Sequence, residues 1–252
     1  MNRHYHYTEI DSTNNALHRM GPDEAPDLTL ATADYQSAGK GRRGRNFMQE
    51  PGQSIAMSIL LRPGQTLPID RAPGLTPVMA LAGRRALCEI TEDNDVRLKW
   101  PNDVLVHMKK ICGILTEMYP AENGGIDHII IGVGVNVNQK SFPEDLPYAG
   151  SLFTVFGREY DRERIIRGIC REFESLYGQF LKTRDLSLML GEYRDSLLNM
   201  DREVRILDPA GEYIATAVDV LADGSLVVET GDGNRHSVDS GEVSVRGVYG
   251  YC

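Results

Sequence analysis

A glycine-rich basic segment, QSAGKGRRGR at residues 36–45, has the composition of an anion-binding loop. Its ten residues hold four positive charges, three glycines and no acid. Glycine lets backbone N–H groups approach a ligand closely, and unopposed cations attract phosphate or carboxylate. Neither a Walker A GxxxxGK[ST] nor a Rossmann GxGxxG that opens a helix is present. Because the segment lies between two predicted strands of an acidic protein, we interpret it as a small-anion site rather than a solvated loop or a nucleic-acid tail.

Three further segments combine polar residues with predicted strands. KWPND at residues 99–103 leaves a strand, because proline stops pairing and Asn-Asp favours a turn; a simple turn would explain it equally well. KKICGIL at residues 109–115 places a lysine just before a strand, where a solvated strand end is the ordinary explanation. GVGVNVN at residues 132–138 carries two glycines on one strand face, which predicts a flat floor for a ligand.

The elements that must position these segments follow from hydrophobic periodicity and turn residues. Ser12 and Thr13 are good N-cap types for a helix over residues 14–19. Asp161 can cap another helix, whose apolar face is Ile165, Ile169, Phe173, Leu176 and Phe180. Further helices are predicted over residues 78–90 and 186–198, strands over 28–33, 54–61, 96–100, 111–119 and 126–137, hairpin turns near 106–110 and 120–125, and a loop over 63–77.

The pattern changes near residue 200. Short alternating runs at residues 204–206, 215–221, 226–229 and 243–248 are separated by Asp-Pro and Asp-Gly turns, which is typical of a small antiparallel barrel. From Asp201 onward the chain has ten acidic and four basic residues, a net charge of −6 out of −9. We therefore predict two domains, residues 1–199 and 200–252.

Composition excludes several classes of protein. The net charge of −9 argues against a general nucleic-acid binder, so no DNA partner is expected. No signal peptide and no apolar run long enough to cross a membrane is visible. The four cysteines are scattered and the six histidines form no zinc motif, which favours reduced thiols in a cytoplasmic protein.

The order of these motifs resembles the biotin–protein ligase family: DSTN at residues 11–14, the basic segment, KWPND, KKICGIL and then GVGVNVN. The resemblance covers residues 7–137 by motif and residues 203–247 by the small barrel. KWPND followed closely by K-x-x-G-I-L is its most specific part. It implies an α+β fold, with a mixed β-sheet and flanking helices like a class II synthetase, plus a C-terminal SH3-like barrel. It also implies ATP-dependent formation of biotinyl-5′-AMP and transfer of biotin to a lysine of a biotin carboxyl carrier protein.

The same resemblance implies roles for individual residues. The implied biotin contacts are Ser12, Thr13, Asn14, Gln36, Lys40, Gly41, Arg42, Lys110, Gly113, Gly132 and Gly134. The implied ATP contacts are Arg42, Arg45, Lys99, Asn102 and Asn136, with Mg²⁺ on the phosphates through ligands that the sequence does not identify. The family loop usually reads GRGRRG, and Lys40 stands at its first arginine. Lysine keeps the charge but lacks bidentate geometry, so no fork-like contact is expected from Lys40.

The implied chemistry brings a carboxylate against a polyphosphate, so two anions must meet. Arg42, Lys110 and the magnesium ion are the predicted neutralising groups. An acceptor lysine then attacks biotinyl-5′-AMP as a neutral amine, although such an amine titrates near ~10.4 in water. Asp103 is the predicted third catalytic residue, as a base or as an electrostatic orienter of that amine.

Other functions remain open at this point. A lipoate or octanoate ligase of the same fold is the nearest alternative, but such enzymes carry a Gly-Gly-Gly loop with a nearby histidine. A non-catalytic biotin sensor would have no use for both Arg42 and Lys110. A nucleic-acid-binding barrel is disfavoured because the cations lie outside the barrel. The ligase motifs start at Asp11, which leaves no room for a winged-helix domain and indicates the monofunctional class; the oligomeric state stays open, with a homodimer as one option.

Overall fold

The computed structural model describes residues 1–44, 47, 50–122, 124–208, 211–240 and 244–247. A seven-stranded sheet organises the first part of the chain, in the order β1-β2-β3-β7-β6-β5-β4. Its strands are β1 (Arg3–Ile10), β2 (Thr29–Gln36), β3 (Ser54–Leu61), β4 (Val96–Lys99), β5 (Asp103–Val106), β6 (Lys109–Pro120) and β7 (Ile126–Asn136). β1 pairs with β2 in parallel and the other neighbours are antiparallel, so the predicted mixed sheet is confirmed.

Helices cover both faces of this sheet. They are α1 (Thr13–His18), α2 (Leu75–Thr91), α3 (Leu152–Phe156), α4 (Arg162–Thr183) and α5 (Leu190–Ser196). Side chains alternate between the faces of a strand. Ile129 and Ile131 join the large core built with α2 and α4, whereas Ile130 joins a small cluster with Leu17 of α1. The face that carries α1 therefore has the smaller apolar core.

The four predicted helices are present as α1, α2, α4 and α5, and the start of α2 needs correction. Asp161 caps α4 by accepting hydrogen bonds from the backbone N–H groups of Glu163 and Arg164. α2 begins at Leu75, inside the segment predicted as loop, because Pro77 falls in the first helical turn, where backbone N–H groups lack helical partners anyway. The rest of that segment holds two short 3₁₀ helices, at Gly64–Thr66 and Ile69–Gly74.

The predicted hairpin turn near residues 106–110 is present, but the strand that enters it is β5, which was not predicted, rather than the strand at residues 96–100. The chain turns at residues 100–102 and returns as β5, which then pairs with both β4 and β6. The hairpin turn before β6 places His107 and Met108 at positive φ, 47° and 63°. These two residues stand where Asn-Gly is usual in such a turn. β1, α3 and a strand over Arg235–Val238 were also not predicted.

A five-stranded antiparallel sheet follows. Its strands are β8 (Arg202–Asp208), β9 (Gly211–Val220), β10 (Leu226–Glu229), β11 (Arg235–Val238) and β12 (Ser244–Gly247), in the order β11-β10-β9-β8-β12. We call this part the C-terminal unit. Trp100, fully buried after β4, donates from its indole Nε1 to the Gly224 carbonyl at 3.0 Å. The KWPND segment is thereby tied to the C-terminal unit.

None of the helices in the described part of the chain is long and apolar enough to cross a membrane.

Candidate active site

Small residues form one row across four strands of the large sheet. Ala33 pairs with Ala56, Ala56 with Gly134, and Gly134 with Gly113. Directly paired residues point to the same side of a sheet, here the side that carries α1. Adjacent strands lie ~4.8 Å apart, so the row spans roughly 15 Å. We call this row the trench, since it lacks the large side chains found elsewhere on the sheet.

The two glycines of β7 face the trench side together, as the sequence predicted. A Cβ on Gly132 would collide with the Asn14 side chain, and a Cβ on Gly134 would lie 2.7 Å from the Phe47 ring. Phe47 also donates its backbone N–H to the Gly39 carbonyl at 3.0 Å. The Asn14 side chain of α1 and the Phe47 side chain, which follows the basic segment, therefore lie directly on these glycines, which a floor reserved for a ligand alone would not show.

Hydroxyl and amide groups line the trench beside β2 and β3. Gln36 Oε1 accepts the backbone N–H of Thr13 at 2.7 Å, and it lies 3.0 Å from Thr13 Oγ1. Thr13 Oγ1 lies 2.7 Å from Ser58 Oγ, which donates to Asn14 Oδ1 at 2.5 Å. We call these four residues the hydroxyl end of the trench; all of them are buried. Asn14 Nδ2 donates onward to Glu117 Oε2 at 2.6 Å.

Cationic groups lie at the opposite end, over β5 and β6. Lys110 Nζ forms an ion pair with Asp103 Oδ1 at 2.6 Å. The same Nζ would be 3.5 Å from a Cβ on Gly113, so the amine lies beside the trench. Lys110 and Gly113 would face opposite sides of a regular strand, because they are three residues apart. A register shift between Val104 and Leu105 of the partner strand, a β-bulge, coincides with this change of face.

Arg42 of the basic segment contacts the KWPND segment and the C-terminal unit. Its Nη1 donates to Asn102 Oδ1 at 3.2 Å, and its Nη2 donates to the backbone carbonyl of Ser240. Asn102 in turn donates from Nδ2 to the Ile114 carbonyl on β6 at 2.8 Å. Arg42, Lys110, Asp103 and Asn102 form what we call the cationic end. The structure thus brings together residues of the basic segment, KWPND and KKICGIL.

Lys40 lies away from this end. Its Nζ donates to Asn15 Oδ1 at 2.7 Å, and Asn15 Nδ2 donates to Asp11 at 2.8 Å. Arg19 forms two hydrogen bonds of 2.9 Å with Asp11, and together with Asn15 it holds the pKa of Asp11 well below its usual range. Through its hydrogen bond to Asn15, Lys40 therefore connects the basic segment to α1.

Other predicted contact residues differ in their surroundings. Ser12 is buried as the N-cap residue of α1, but its side chain makes no capping hydrogen bond. Gly41 follows Lys40 in the basic loop and is half-buried. Lys99, predicted as an ATP contact, is buried at the end of β4. Arg45, the remaining predicted ATP contact of the loop, lies outside the described residues.

Asn136 is the last residue of β7, and in the described structure only the nitrogen of its side-chain amide has a hydrogen-bond partner. Its Nδ2 donates to the Gly150 carbonyl at 3.0 Å. Its Oδ1 is buried and has no hydrogen-bond partner in the part of the chain that the structure describes. A buried acceptor without a partner costs free energy, on the order of 1–3 kcal/mol. Asn136 Oδ1 is therefore suited to accept a hydrogen bond from a ligand.

The cysteine nearest the trench is not a nucleophile. Burial raises the pKa of the Cys112 thiol to about 12, so the thiol stays protonated at neutral pH. Cys88, Cys112 and Cys170 carry free thiols, and Cys252 lies outside the described residues. Among the described residues no group of three or more His, Cys, Asp or Glu side chains could hold a metal ion.

Sequence reasoning missed several residues of the site. Ser58 and Glu117 complete the hydrogen-bonded chain of the hydroxyl end, and Phe47 covers Gly134. Ser58 lies opposite Gly132 in the β3–β7 pairing. Knowledge of the register between β3 and β7 would have identified Ser58, but the sequence alone does not give this register.

The chain matches two family models. Residues 7–136 match the biotin/lipoate A/B protein ligase family, and residues 200–246 match the biotin protein ligase C terminal domain. The bifunctional ligase/repressor BirA of Bacillus spizizenii is 35% identical over 240 residues, which are 92% of this chain and 71% of that protein. The biotin–[acetyl-CoA-carboxylase] ligase of Mycobacterium tuberculosis is 30% identical over 222 residues, 86% of this chain and 79% of that one.

A solved structure shares the architecture. The biotin protein ligase from Aquifex aeolicus, in complex with biotin and ATP, superposes with a TM-score of 0.84 at 28% identity and covers 98% of this chain and 99% of that one. The fold and these matches define the class of protein, which is a ligase with a C-terminal SH3-like unit, as predicted. The chain belongs to the biotin/lipoate A/B protein ligase family.

Proposed function

We propose that this protein is a biotin–protein ligase that forms biotinyl-5′-AMP from biotin and ATP and then transfers biotin to a lysine of a biotin carboxyl carrier protein. The observation that carries the proposal is the trench with two chemically different ends. Uncharged hydrogen-bonding groups face it at one end and cations face it at the other. Biotin has the same polarity, with an uncharged ureido ring and a carboxylate at opposite ends.

The hydroxyl end fits the ureido ring better than an apolar head group. Its groups are buried, and a buried polar group that loses a partner to an apolar ligand costs on the order of 1–3 kcal/mol. A dithiolane or an alkyl tail offers no hydrogen bonds to Thr13 or Gln36. This argument favours biotin over lipoate and octanoate.

The cationic end fits the reacting anions. Biotin's carboxylate must approach the α-phosphate of ATP, and two anions repel each other strongly in a partly dry site. Lys110 Nζ and the Arg42 guanidinium stand at this end and neutralise charge that develops at the α-phosphorus. In the free protein the Asp103 carboxylate holds Lys110 in place beside Gly113.

The nucleotide is proposed to lie beyond the carboxylate. Asn136 Oδ1, the buried acceptor without a partner among the described residues, is suited to an exocyclic amine such as that of adenine. Asn102, Lys99 and Arg45 are the other proposed nucleotide contacts. Mg²⁺ would be held by the phosphates of ATP and by water molecules, and it would offset the negative charge of those phosphates.

Asp103 is proposed to act again in the transfer step. The acceptor lysine attacks as an amine, so its proton must be taken up or its charge offset. Asp103 lies at the cationic end with a nearly buried side chain, 9% exposed. Once Lys110 turns to the adenylate, the carboxylate can orient the incoming amine and accept its proton.

The domain division at residues 199 and 200 is part of the proposal. Arg42 donates to the Ser240 carbonyl, and Trp100 of KWPND donates to the Gly224 carbonyl. Both contacts cross this boundary. We propose that the C-terminal unit supports the adenylation end of the trench, while the ureido end depends on residues of the first domain.

Incubation with α-labelled ATP and biotin tests the function directly. The expected result is biotin-dependent release of pyrophosphate, formation of labelled biotinyl-5′-AMP, and transfer of biotin to an added biotin carboxyl carrier domain. Octanoate and lipoate serve as matched acids that lack the ureido ring. Pyrophosphate release with either of these acids but not with biotin would overturn the proposal.

A further inference from the structure

Three oxygen–oxygen contacts of the hydroxyl end must share two protons. The contacts join Asn14 Oδ1 to Ser58 Oγ at 2.5 Å, Ser58 Oγ to Thr13 Oγ1 at 2.7 Å, and Thr13 Oγ1 to Gln36 Oε1 at 3.0 Å. Each hydroxyl has one proton, and amide oxygens have none. One of the three contacts therefore has no proton between its two oxygens.

Glu117 fixes the direction of this chain at Asn14. A carboxylate only accepts, so Asn14 presents Nδ2 to Glu117 at 2.6 Å and turns Oδ1 toward Ser58. Ser58 then donates its proton to Asn14 Oδ1. The Thr13 proton can go to Gln36 Oε1 or to Ser58 Oγ, but not to both. The contact without a proton is therefore one of the two contacts of Thr13 Oγ1.

Thr13 Oγ1 is one of two acceptors left facing each other at the trench. If its proton goes to Gln36 Oε1, it faces Ser58 Oγ at 2.7 Å; if its proton goes to Ser58, it faces Gln36 Oε1 at 3.0 Å. Gln36 Oε1 is fixed toward Thr13 because it accepts the Thr13 backbone N–H at 2.7 Å. Lone pairs that face each other attract an N–H donor from a ligand.

We infer that Glu117 is a positioning residue that makes the hydroxyl end select a ligand head group with N–H donors. Glu117 is separated from Thr13 by Asn14 and Ser58, so it acts through the direction of the hydrogen bonds. The inference rests on the proposed function, in which the ligand is biotin and the donors are its ureido N–H groups. Without Glu117, the Asn14 amide can turn over so that Asn14 Nδ2 donates to Ser58, Ser58 donates to Thr13 and Thr13 donates to Gln36. Each of the three contacts then holds a proton, and the site no longer needs a donor from the ligand.

The inference is tested by comparing the affinities of biotin and of methylated biotin for wild type and for several variants. Isothermal titration of the full chain measures Kd for biotin and for biotin methylated on each ureido nitrogen in turn. We expect wild type to prefer biotin over one methylated isomer by about 5- to 150-fold, the usual effect of leaving a buried acceptor unsatisfied. Glu117→Leu should reduce that preference at least fivefold. Glu122→Gln, which removes a carboxylate from an exposed turn after β6, should leave it unchanged.

Ser58→Ala is a second disruption that removes a single oxygen from a fully buried site. It removes the contact between Ser58 and Thr13, so the Thr13 proton serves Gln36 alone, no contact of Thr13 Oγ1 lacks a proton, and the preference should fall as it does in Glu117→Leu. If Glu117→Leu does not fold, Ser58→Ala decides the matter alone. A purely structural role would weaken both ligands alike and leave their ratio unchanged, and that result would overturn the inference. Failure of wild type to bind biotin would instead contradict the proposed function.

Discussion

At the hydroxyl end of the trench the polar groups come from α1, β2 and β3, whereas the cationic end draws on the basic loop, a β-bulge and the C-terminal unit. The hydroxyl end consists of buried side chains whose polar atoms lie within 3.0 Å of one another. The cationic end holds its charges by contacts that a ligand can replace, such as the Lys110–Asp103 ion pair. The comparison indicates that the hydroxyl end is built from neighbouring strands and one helix, whereas the cationic end is assembled from segments that are distant in the sequence.

Removing Lys110 should give the largest effect. Lys110→Ala takes away one of the two cations that we propose to neutralise the reacting anions, and such a loss commonly costs about 3 kcal/mol, or more than ~100-fold in rate. Lys109→Ala is the matched control, since Lys109 is exposed and its Nζ donates only to the Pro147 carbonyl in the described structure. Rates of biotin-dependent pyrophosphate release measure both variants. If Lys110→Ala kept more than about a tenth of the wild-type rate, the cationic end would be wrongly assigned.

A methyl group at Gly132 tests the hydroxyl end. Its Cβ collides with Asn14, so Gly132→Ala should push Asn14 away from Ser58 and Glu117. The loss of buried hydrogen bonds should weaken biotin binding by about 2 kcal/mol, or roughly 30-fold. Gly178→Ala on α4, where an added Cβ meets nothing within 4 Å, is the control and should bind biotin normally. Normal binding by Gly132→Ala would mean that the trench tolerates the displaced amide.

The two half-reactions separate the roles proposed for Asp103. Asp103→Asn keeps the shape but removes the charge, and a hydrogen bond to a charged group contributes at least about 1.5 kcal/mol. Transfer of biotin from preformed adenylate should therefore slow about tenfold, while adenylate formation slows less. Asp145→Asn in an exposed loop controls for the change of charge. Equal slowing of both steps in single-turnover experiments would argue against the role in transfer.

Lowering the pH should reduce the free energy of unfolding through His128, which contacts the end of α1. His128 Nε2 lies 3.1 Å from His18 at the end of α1, and His128 also bonds Asp127. Burial lowers the pKa of His128 in spite of the opposing effect of Asp127. A lowered pKa favours the neutral ring in the folded state, so this contribution to stability is complete above about pH 6.5 and is lost as the pH falls below that value.

His128→Phe tests this smallest of the effects because it keeps a ring beside Tyr119, whose centroid is 4.5 Å away. The free energy of unfolding should fall less between pH 7.5 and pH 5.5 in this variant than in wild type, as measured by urea denaturation. His107→Gln, which changes a half-exposed histidine on the β5–β6 turn, should keep the wild-type dependence. A wild-type slope in His128→Phe would contradict the assignment.

The comparison of the two ends also shows what the sequence can predict. Strands with continuous apolar runs, such as β3, and the capped helix α4 are encoded locally, and both were predicted at or close to their observed bounds. Gly132 and Gly134 share a face because the strand period is two, which needs no knowledge of the partner strands.

Other features depend on register and could not be predicted. Ser58 and Glu117 belong to the site only because β3, β7 and β6 pair in one particular alignment. The sequence places Lys110 before a strand, whereas it lies within β6 and turns toward the trench beside a bulge. The contact of Arg42 with the Ser240 carbonyl joins residues 198 positions apart, and no local sequence pattern predicts it.

The most direct test of the central claim asks whether the two ends of biotin are recognised by the two ends of the trench. Isothermal titration compares biotin with biotinamide, in which a neutral amide replaces the carboxylate, in wild type, Lys110→Ala and Thr13→Val. Wild type should prefer biotin at least about tenfold, since the carboxylate bonds a charged group. Lys110→Ala should lose this preference, whereas Thr13→Val should weaken both ligands and keep it. A preference that survives in Lys110→Ala, or disappears in Thr13→Val, would contradict the account.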